Sequence, residues 1–404
     1  MDFSDLKAAR ELLQNVALTT PSEESRWLSR IASTPVHLKC ENLQRAGSFK
    51  IRGAYVRIAR LSAEERSRGV VAASAGNHAQ GVALAASLLD TKATIFMPDG
   101  AALPKISATR AYGADIRFHG KGVTEALGGA MEFAEHTGAI LIHPFDHEDI
   151  MAGQGTVGLE ILEQVPDVKT ILVPVGGGGL AAGISLIRSR RPDIRIIGVQ
   201  AEGAASYGPS LKEGRPLQVE MDQTMADGIA VSMPGEVPFA IIADLCHEVI
   251  TVSEEALSQS LVMLLERAKM LVEPSGGAGV AAIMQNPGAF EGPVVCVLSG
   301  GNIDALVLLE VIRHGLASAG RFLNFRARIS DRPGALMRLL TDLAAMQVNV
   351  LNVTHDRSSE SLGVSQVDVA MQVATRGPDH REQVKDKLAD LGYDINLQDW
   401  PSGS

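Results

Sequence analysis

Hydrophobic residues across 34–315 gather into short aliphatic runs, each closed by a Gly- or Ser-containing turn and followed by an Ala-rich stretch with helical spacing. That alternation predicts parallel βαβ units. The clearest strands are expected at 70–73, 93–97, 170–175, 194–199 and 294–298, and all but the first lie against a turn signal. Residues 1–14 alternate charge and apolarity as a surface helix does. After Gly320 the texture changes. Strand patterns at 322–329, 348–354 and 364–375, a helix at 334–346, then a second helix and a short strand predict a ferredoxin-like βαββαβ unit over 321–404. Gly and Ser cluster at 314–321, which places the junction of a 1–320 domain with the tail there.

Composition narrows the function. Of 404 residues, 46% are hydrophobic and 21% charged, enough apolar surface to build folded cores and exclude intrinsic disorder. A formal net charge of -10 would repel nucleic acid and anionic membranes, so neither is an expected partner and small-molecule chemistry becomes the default. Cys40, Cys246 and Cys296 are too scattered for a zinc site or a disulfide framework and predict buried thiols. The amino terminus lacks the basic-then-apolar layout of a signal peptide, and the most apolar stretch, 170–187, carries Pro174 and four glycines. A cytoplasmic protein is the expectation.

Three segments bear chemistry. In Gly47-Ser48-Phe49-Lys50, the lysine stands at the start of a predicted helix. Alone it would be a solvated helix-start cation. Residues 73–81, Ala-Ser-Ala-Gly-Asn-His-Ala-Gln-Gly, follow an apolar strand and bring small polar groups to a helix start, where unpaired N–H groups can receive an anion. The plainer reading is a helix capped by Ser74 or Asn77. The third segment, Val175-Gly176-Gly177-Gly178-Gly179-Leu180, lets backbone approach a phosphate closely between a strand and a helix. It also fits G-x-G-x-x-[GA], with Glu202 after the next strand, so a nicotinamide-dinucleotide site stays open on this motif alone. A nucleotide P-loop fits less well, since no Lys-Ser or Lys-Thr pair follows the glycines.

Together with Leu298-Ser299-Gly300-Gly301-Asn302, these segments resemble the serine/threonine dehydratase family of pyridoxal-phosphate enzymes over 34–315. The resemblance implies a two-lobed α/β architecture of the tryptophan-synthase-β-like kind, with parallel-type sheets, a small lobe at about 50–146 and a large lobe at about 1–49 and 147–320. It implies that Lys50 carries pyridoxal phosphate as a Schiff base and later takes the Cα proton of an amino-acid substrate. By the same resemblance Phe49 packs on the ring, Asn77 meets the ring hydroxyl, and Gly176, Gly177, Gly178 and Gly179 with Leu180 hold the phosphate. Ser74, Gly76, Asn77 and His78 receive the substrate carboxylate, and Ser299 meets the pyridine nitrogen. A neutral partner there favours prompt loss of the β-hydroxyl over transamination.

The implied reaction removes water and ammonia from L-threonine, or from serine. Ala75 stands where the racemases of this family carry a second serine, so elimination is expected to dominate. Relatives bind a cation at positions matching Glu202 and Ser206; Gly208 at the later acidic position argues against a divalent ion, which leaves two alternatives, a monovalent cation there or Glu202 as a plain solvated loop carboxylate. Glu273 resembles a family glutamate near the cofactor, and reads equally as a helix-end charge.

In the tail, Asp331-Arg332-Pro333-Gly334-Ala335-Leu336 resembles the signature turn of ACT domains. That resemblance implies an amino-acid effector near Asp331 and Asn349, bound between paired copies, and hence a homo-oligomer, dimer or tetramer. The alternative is a tail used only for packing. A catalytically silent amino-acid sensor is a further alternative, against which Lys50 and Ser299 speak.

Overall fold

The computed structural model describes residues 1–357, 363 and 365–397. It divides into two compact units, Met1–Val311 and Ile312–Ser404, with the division inside the helix Ala305–Ser318.

The strands of the first unit are β1 (Ser22–Glu24), β2 (Val36–Lys39), β3 (Val70–Ala73), β4 (Ala93–Met97), β5 (Asp115–Phe118), β6 (Ile140–Leu141), β7 (Thr170–Pro174), β8 (Arg195–Ala201), β9 (Glu248–Val252) and β10 (Val294–Val297). They form two sheets, a larger one in the order β1-β2-β10-β7-β8-β9 and a smaller one in the order β5-β4-β3-β6. All pairs are parallel except the edge strand β1, which runs antiparallel to β2. Every residue of β7 is buried. A strand covered by helices on both faces reads as an unbroken apolar run, which is why β3, β4, β7, β8 and β10 stand out in the sequence. Strand β5 (Asp-Ile-Arg-Phe) is mostly exposed and carries no such signal.

Parallel sheets open ligand sites at the carboxyl ends of their strands. Here β3 feeds the 73–81 segment, β7 the four glycines, and β10 the Ser-Gly-Gly-Asn turn, while β2, paired with β10, leads to Lys50. Cys40 and Cys296 are buried free thiols; Cys246 is only partly buried, contrary to expectation, because it follows the helix Glu236–Leu245 in an exposed turn before β9. Among the described residues, no helix is long and apolar enough to cross a membrane.

The second unit holds β11 (Phe322–Ser330), β12 (Asn349–Asp356), β13 (Gln366–Ala374) and β14 (Asp394–Leu397), with helices Ala335–Ala345 and Pro378–Asp390, in β–α–β–β–α–β order. Its sheet runs β12-β13-β11-β14, antiparallel throughout. Alternate residues of β11, Leu323, Phe325, Ala327 and Ile329, are buried with Leu339, Leu343, Val384 and Leu388 of the two helices. Val364, the expected start of β13, lies outside the described residues.

Candidate active site

Lys50 opens the helix Lys50–Ala59. Its position is set by the chain before it, which pairs with the turn after β10. Phe49 N–H donates to the Ser299 carbonyl at 3.2 Å, Gly301 N–H to the Gly47 carbonyl at 2.9 Å, and Ser48 bridges Gly300. Gly47 has a φ of +69°, a conformation that suits glycine, and a side chain there would strike Asn302. Ser299 is thus held beside Phe49, and its hydroxyl has no hydrogen-bond partner among the described residues. The Lys50 amine donates to the Pro144 carbonyl at 3.0 Å and lies 5.2 Å from the centre of the Phe49 ring. Burial pushes the amine down to about 8, against the opposing pull of the Glu273 carboxylate. A lysine with that value offers a far larger neutral, nucleophilic fraction than a solvated one.

The helix Asn77–Leu88 packs on the first turn of the lysine helix so closely that a Cβ on Gly81 would lie 3.0 Å from the Lys50 carbonyl carbon. Its N-cap is Gly76, with no side-chain cap. The capped-helix reading therefore fails. Ser74 Oγ accepts from Gly76 N–H at 3.1 Å, one step before the helix, and the side chain of Asn77 is committed elsewhere. Asn77 Nδ2 donates to Glu273 Oε1 at 2.6 Å, and its Oδ1 accepts from Asn302 Nδ2 at 2.8 Å. His78 turns its ring inward, where Nε2 meets the Ile142 carbonyl at 2.8 Å, so that nitrogen carries the proton. Burial holds the ring down at about 3, hence neutral. Only its backbone N–H remains for a carboxylate.

Glycines 176–179 link β7 to the helix Gly179–Ser185. Gly178 has a φ of +102°, and a side chain on it would collide with the Tyr207 hydroxyl and Pro238. A side chain on Gly177 would enter the Phe145 ring. The Gly177 carbonyl is tied down by Tyr207 O–H at 3.2 Å and Gly235 N–H at 3.1 Å, while the N–H groups of Gly176, Gly177 and Gly178 have no protein acceptor among the described residues. The Leu180 side chain, 4% exposed, belongs to the core, so it too could offer only its backbone.

A low-pKa amine against an aromatic ring, a loop of uncommitted N–H donors that no Cβ could enter, and an unpaired hydroxyl at Ser299 are the groups an aldehyde cofactor with a phosphate and a ring nitrogen requires. Pyridoxal phosphate fits these residues.

Two residues left out of the expected set sit in this site. Glu273 is 6% exposed and bonds Asn77, and its carboxyl is pushed up to about 7 by burial and then by Asp227. It is a buried partner of Asn77 and stands at the start of the short helix Pro274–Gly277. Asn302 also donates to the Ala46 carbonyl at 2.6 Å, joining the three segments. Its place in the Ser-Gly-Gly-Asn turn was the signal.

The other expected positions lie apart. Glu202 is exposed in the turn after β8, and Ser206 is buried, its Oγ accepting from Gln200 at 3.4 Å. Among the described residues no three His, Cys, Asp or Glu side chains gather to hold a metal. In the second unit, Asp331 is paired with Arg357 at 3.0 Å, which pulls its carboxyl below the usual range, and Gly334 makes the turn with a φ of +88°. Asn349 is exposed at the start of β12.

Residues 13–300 match a family described as pyridoxal-phosphate dependent enzymes. The chain is 44% identical over 399 residues to the L-threonine ammonia-lyase of Geobacter sulfurreducens, covering 98% of this chain and 99% of that one. Among solved structures it resembles threonine deaminase isoform 2 of Solanum lycopersicum, with a TM-score of 0.73 and 36% identity over 78% of this chain and 94% of the other. Maize serine racemase is similar at a TM-score of 0.73 and 34% identity, over 78% and 98%.

Proposed function

The chain belongs to the pyridoxal-phosphate dependent enzyme family, and from that premise we propose that it is a threonine ammonia-lyase, converting L-threonine to 2-oxobutanoate and ammonia. The observation that carries this reading is the Lys50 amine, lowered by burial and bonded to the carbonyl of Pro144, whose neighbour Phe145 packs against Gly177 and Gly179 of the uncommitted loop. When bound, pyridoxal phosphate supplies an electron sink for the pair left at Cα. Lys50 is both the anchor and the base that takes the Cα proton. Gly176 to Gly179 and Leu180 give backbone N–H groups to the phosphate, Phe49 packs on the ring, and Asn77 holds the ring hydroxyl. The backbone of the 74–78 segment receives the substrate carboxylate, and Ser299 leaves the ring nitrogen without an acidic partner.

Loss of the β-hydroxyl is favoured over racemisation because Ala75 can carry no proton. Glu202 and Ser206 are the place for a monovalent cation. A near-full-length relative named for threonine favours that substrate over serine. The extra methyl of threonine, seated in a pocket, should give a threonine-over-serine preference of roughly 10- to 200-fold in kcat/KM. Measuring 2-oxobutanoate and pyruvate release from the two substrates checks this; a preference for serine would move the assignment to a serine dehydratase.

The regulatory part of the reading is an ACT domain in the second unit, which takes an amino-acid effector near Asp331 and Asn349 between two copies of a cytoplasmic homo-oligomer. Its support is the Pro-Gly turn with Gly334 at positive φ and the β–α–β–β–α–β order. Asn349→Ala should leave the rate without effector unchanged while shifting the response to isoleucine or valine at least several-fold. Identical titrations for the two proteins would remove Asn349 from the effector site.

A further inference from the structure

The helix Glu148–Gln164 is the spine between the lysine and the glycine loop. It meets the lysine helix where glycines allow backbones to touch: a Cβ on Gly53 would lie 2.7 Å from the Ile150 carbonyl, and one on Gly153 would lie 2.7 Å from Gly53 Cα. Two residues on, it meets the helix after the glycine loop in the same way, a Cβ on Gly183 falling 2.8 Å from Gly155 N. Gln154 stands between these two contacts. It is 1% exposed, and neither its Nε2 nor its Oε1 has a hydrogen-bond partner among the described residues.

A primary amide carries two donors and two acceptor lone pairs, and exchanging its N and O leaves the deficit unchanged. Burying one unpaired is costly, and native proteins seldom keep such a group without a purpose. Its location supplies one. A Cβ on Gly179 would lie 2.8 Å from Gln154 Oε1, and a Cβ on Gly53 would lie 3.1 Å from its Nε2, so the amide borders both the last glycine of the loop and the first turn of the lysine helix.

We propose that Gln154 is a further cofactor-binding residue, whose side-chain amide donates a hydrogen bond to the phosphate held by Gly176 to Gly179. The inference rests on the reading of that loop as the phosphate site. An uncharged donor adds to the backbone N–H groups without placing a cation next to Lys50, whose amine must lose its proton easily. It also makes the empty protein pay an unsatisfied amide that the cofactor relieves, which sharpens the discrimination between a phosphorylated and an unphosphorylated ligand.

The test uses the full-length protein freed of cofactor, with pyridoxal phosphate and pyridoxal as probes in equilibrium dialysis, and thermal melting of the cofactor-free form. Gln154→Met keeps the volume and removes the polar atoms. It should raise the Kd for pyridoxal phosphate about tenfold, leave that for pyridoxal within twofold, and keep or raise the melting temperature of the cofactor-free protein. Gln154→Glu, of the same shape, should weaken pyridoxal phosphate further by setting a carboxylate against the phosphate, and it serves if the methionine variant does not fold. Equal effects on both ligands, or none on either, overturn the proposal, the first marking a packing residue and the second an amide satisfied by water. A wild-type protein that binds pyridoxal as tightly as pyridoxal phosphate would instead sink the loop assignment itself.

Discussion

Lys50→Ala should reduce threonine turnover by at least about 10³-fold, the scale set by losing a positioned base together with the covalent anchor. The nearby cation Lys105 is 3.0 Å from Asp227 and so committed to an ion pair. With Lys105 tied up in this way, rescue by that neighbour is not expected. Borohydride reduction of the loaded protein followed by peptide mapping should place the cofactor on the peptide containing Lys50. The pH dependence of loading gives a second check. Only the neutral amine attacks an aldehyde, and burial brings Lys50 down to about 8. The loading rate should therefore rise about tenfold per pH unit below 8 and flatten above it, whereas a solvated lysine would go on gaining to beyond pH 10. A cofactor trapped on another lysine, or a loading rate still climbing at pH 10, would refute the assignment.

What could be read from the sequence divides along a physical line. The 73–81 segment, the four glycines and the Ser-Gly-Gly-Asn turn were legible because each follows a buried parallel strand, and such strands are unbroken apolar runs. Lys50 follows the mixed strand Val-His-Leu-Lys and was legible only through the family resemblance. The polar partners behind them were not. Glu273 and Gln154 are charged or polar letters inside ordinary helical or turn patterns, and only the packing of distant segments shows that one bonds Asn77 and the other lies bare between Gly53 and Gly179. His78 is the converse case. Its position in the motif was legible, yet its ring faces the Ile142 carbonyl because the helix Asn77–Leu88 lies against the end of β6. The same limit hid four buried charges under the lysine helix, since Lys39, Glu41, Arg52 and Glu160 read in sequence as solvated surface.

Those four charges carry the largest expected loss of stability. All five guanidinium N–H groups of Arg52 are used: Nε and Nη2 grip Glu41 at 2.8 Å each, Nη1 reaches Glu160 at 2.7 Å and Thr156 at 3.1 Å, and Nη2 also reaches the Leu18 carbonyl at 3.0 Å. Lys39 spends its three donors on the Thr20 carbonyl, Glu160 and Gln164. The set is neutral as a whole, and it fixes the helix that begins two residues earlier at Lys50. Arg52→Met leaves Glu41 buried with no cation in contact, a change that costs about 3–5 kcal/mol out of a total stability of about 5–15 kcal/mol. Melting should drop by on the order of 10 °C, and Arg52→Lys should recover little of it, because an ammonium cannot span two carboxylates and a carbonyl with a planar fork. The pH dependence has a definite sign. Burial pushes Glu41 up, but Arg52 overcomes this and holds it below its ordinary 4.5. Its stabilisation is therefore complete above that value and is lost as pH falls through the lowered one. The gap in melting temperature between wild type and Arg52→Met should be widest near neutral pH and should begin to narrow on acidification already above the ordinary 4.5, because without Arg52 burial raises Glu41 and the variant takes up its proton first. A gap that stays constant from pH 7 to pH 4 would mean that Arg52 contributes packing alone.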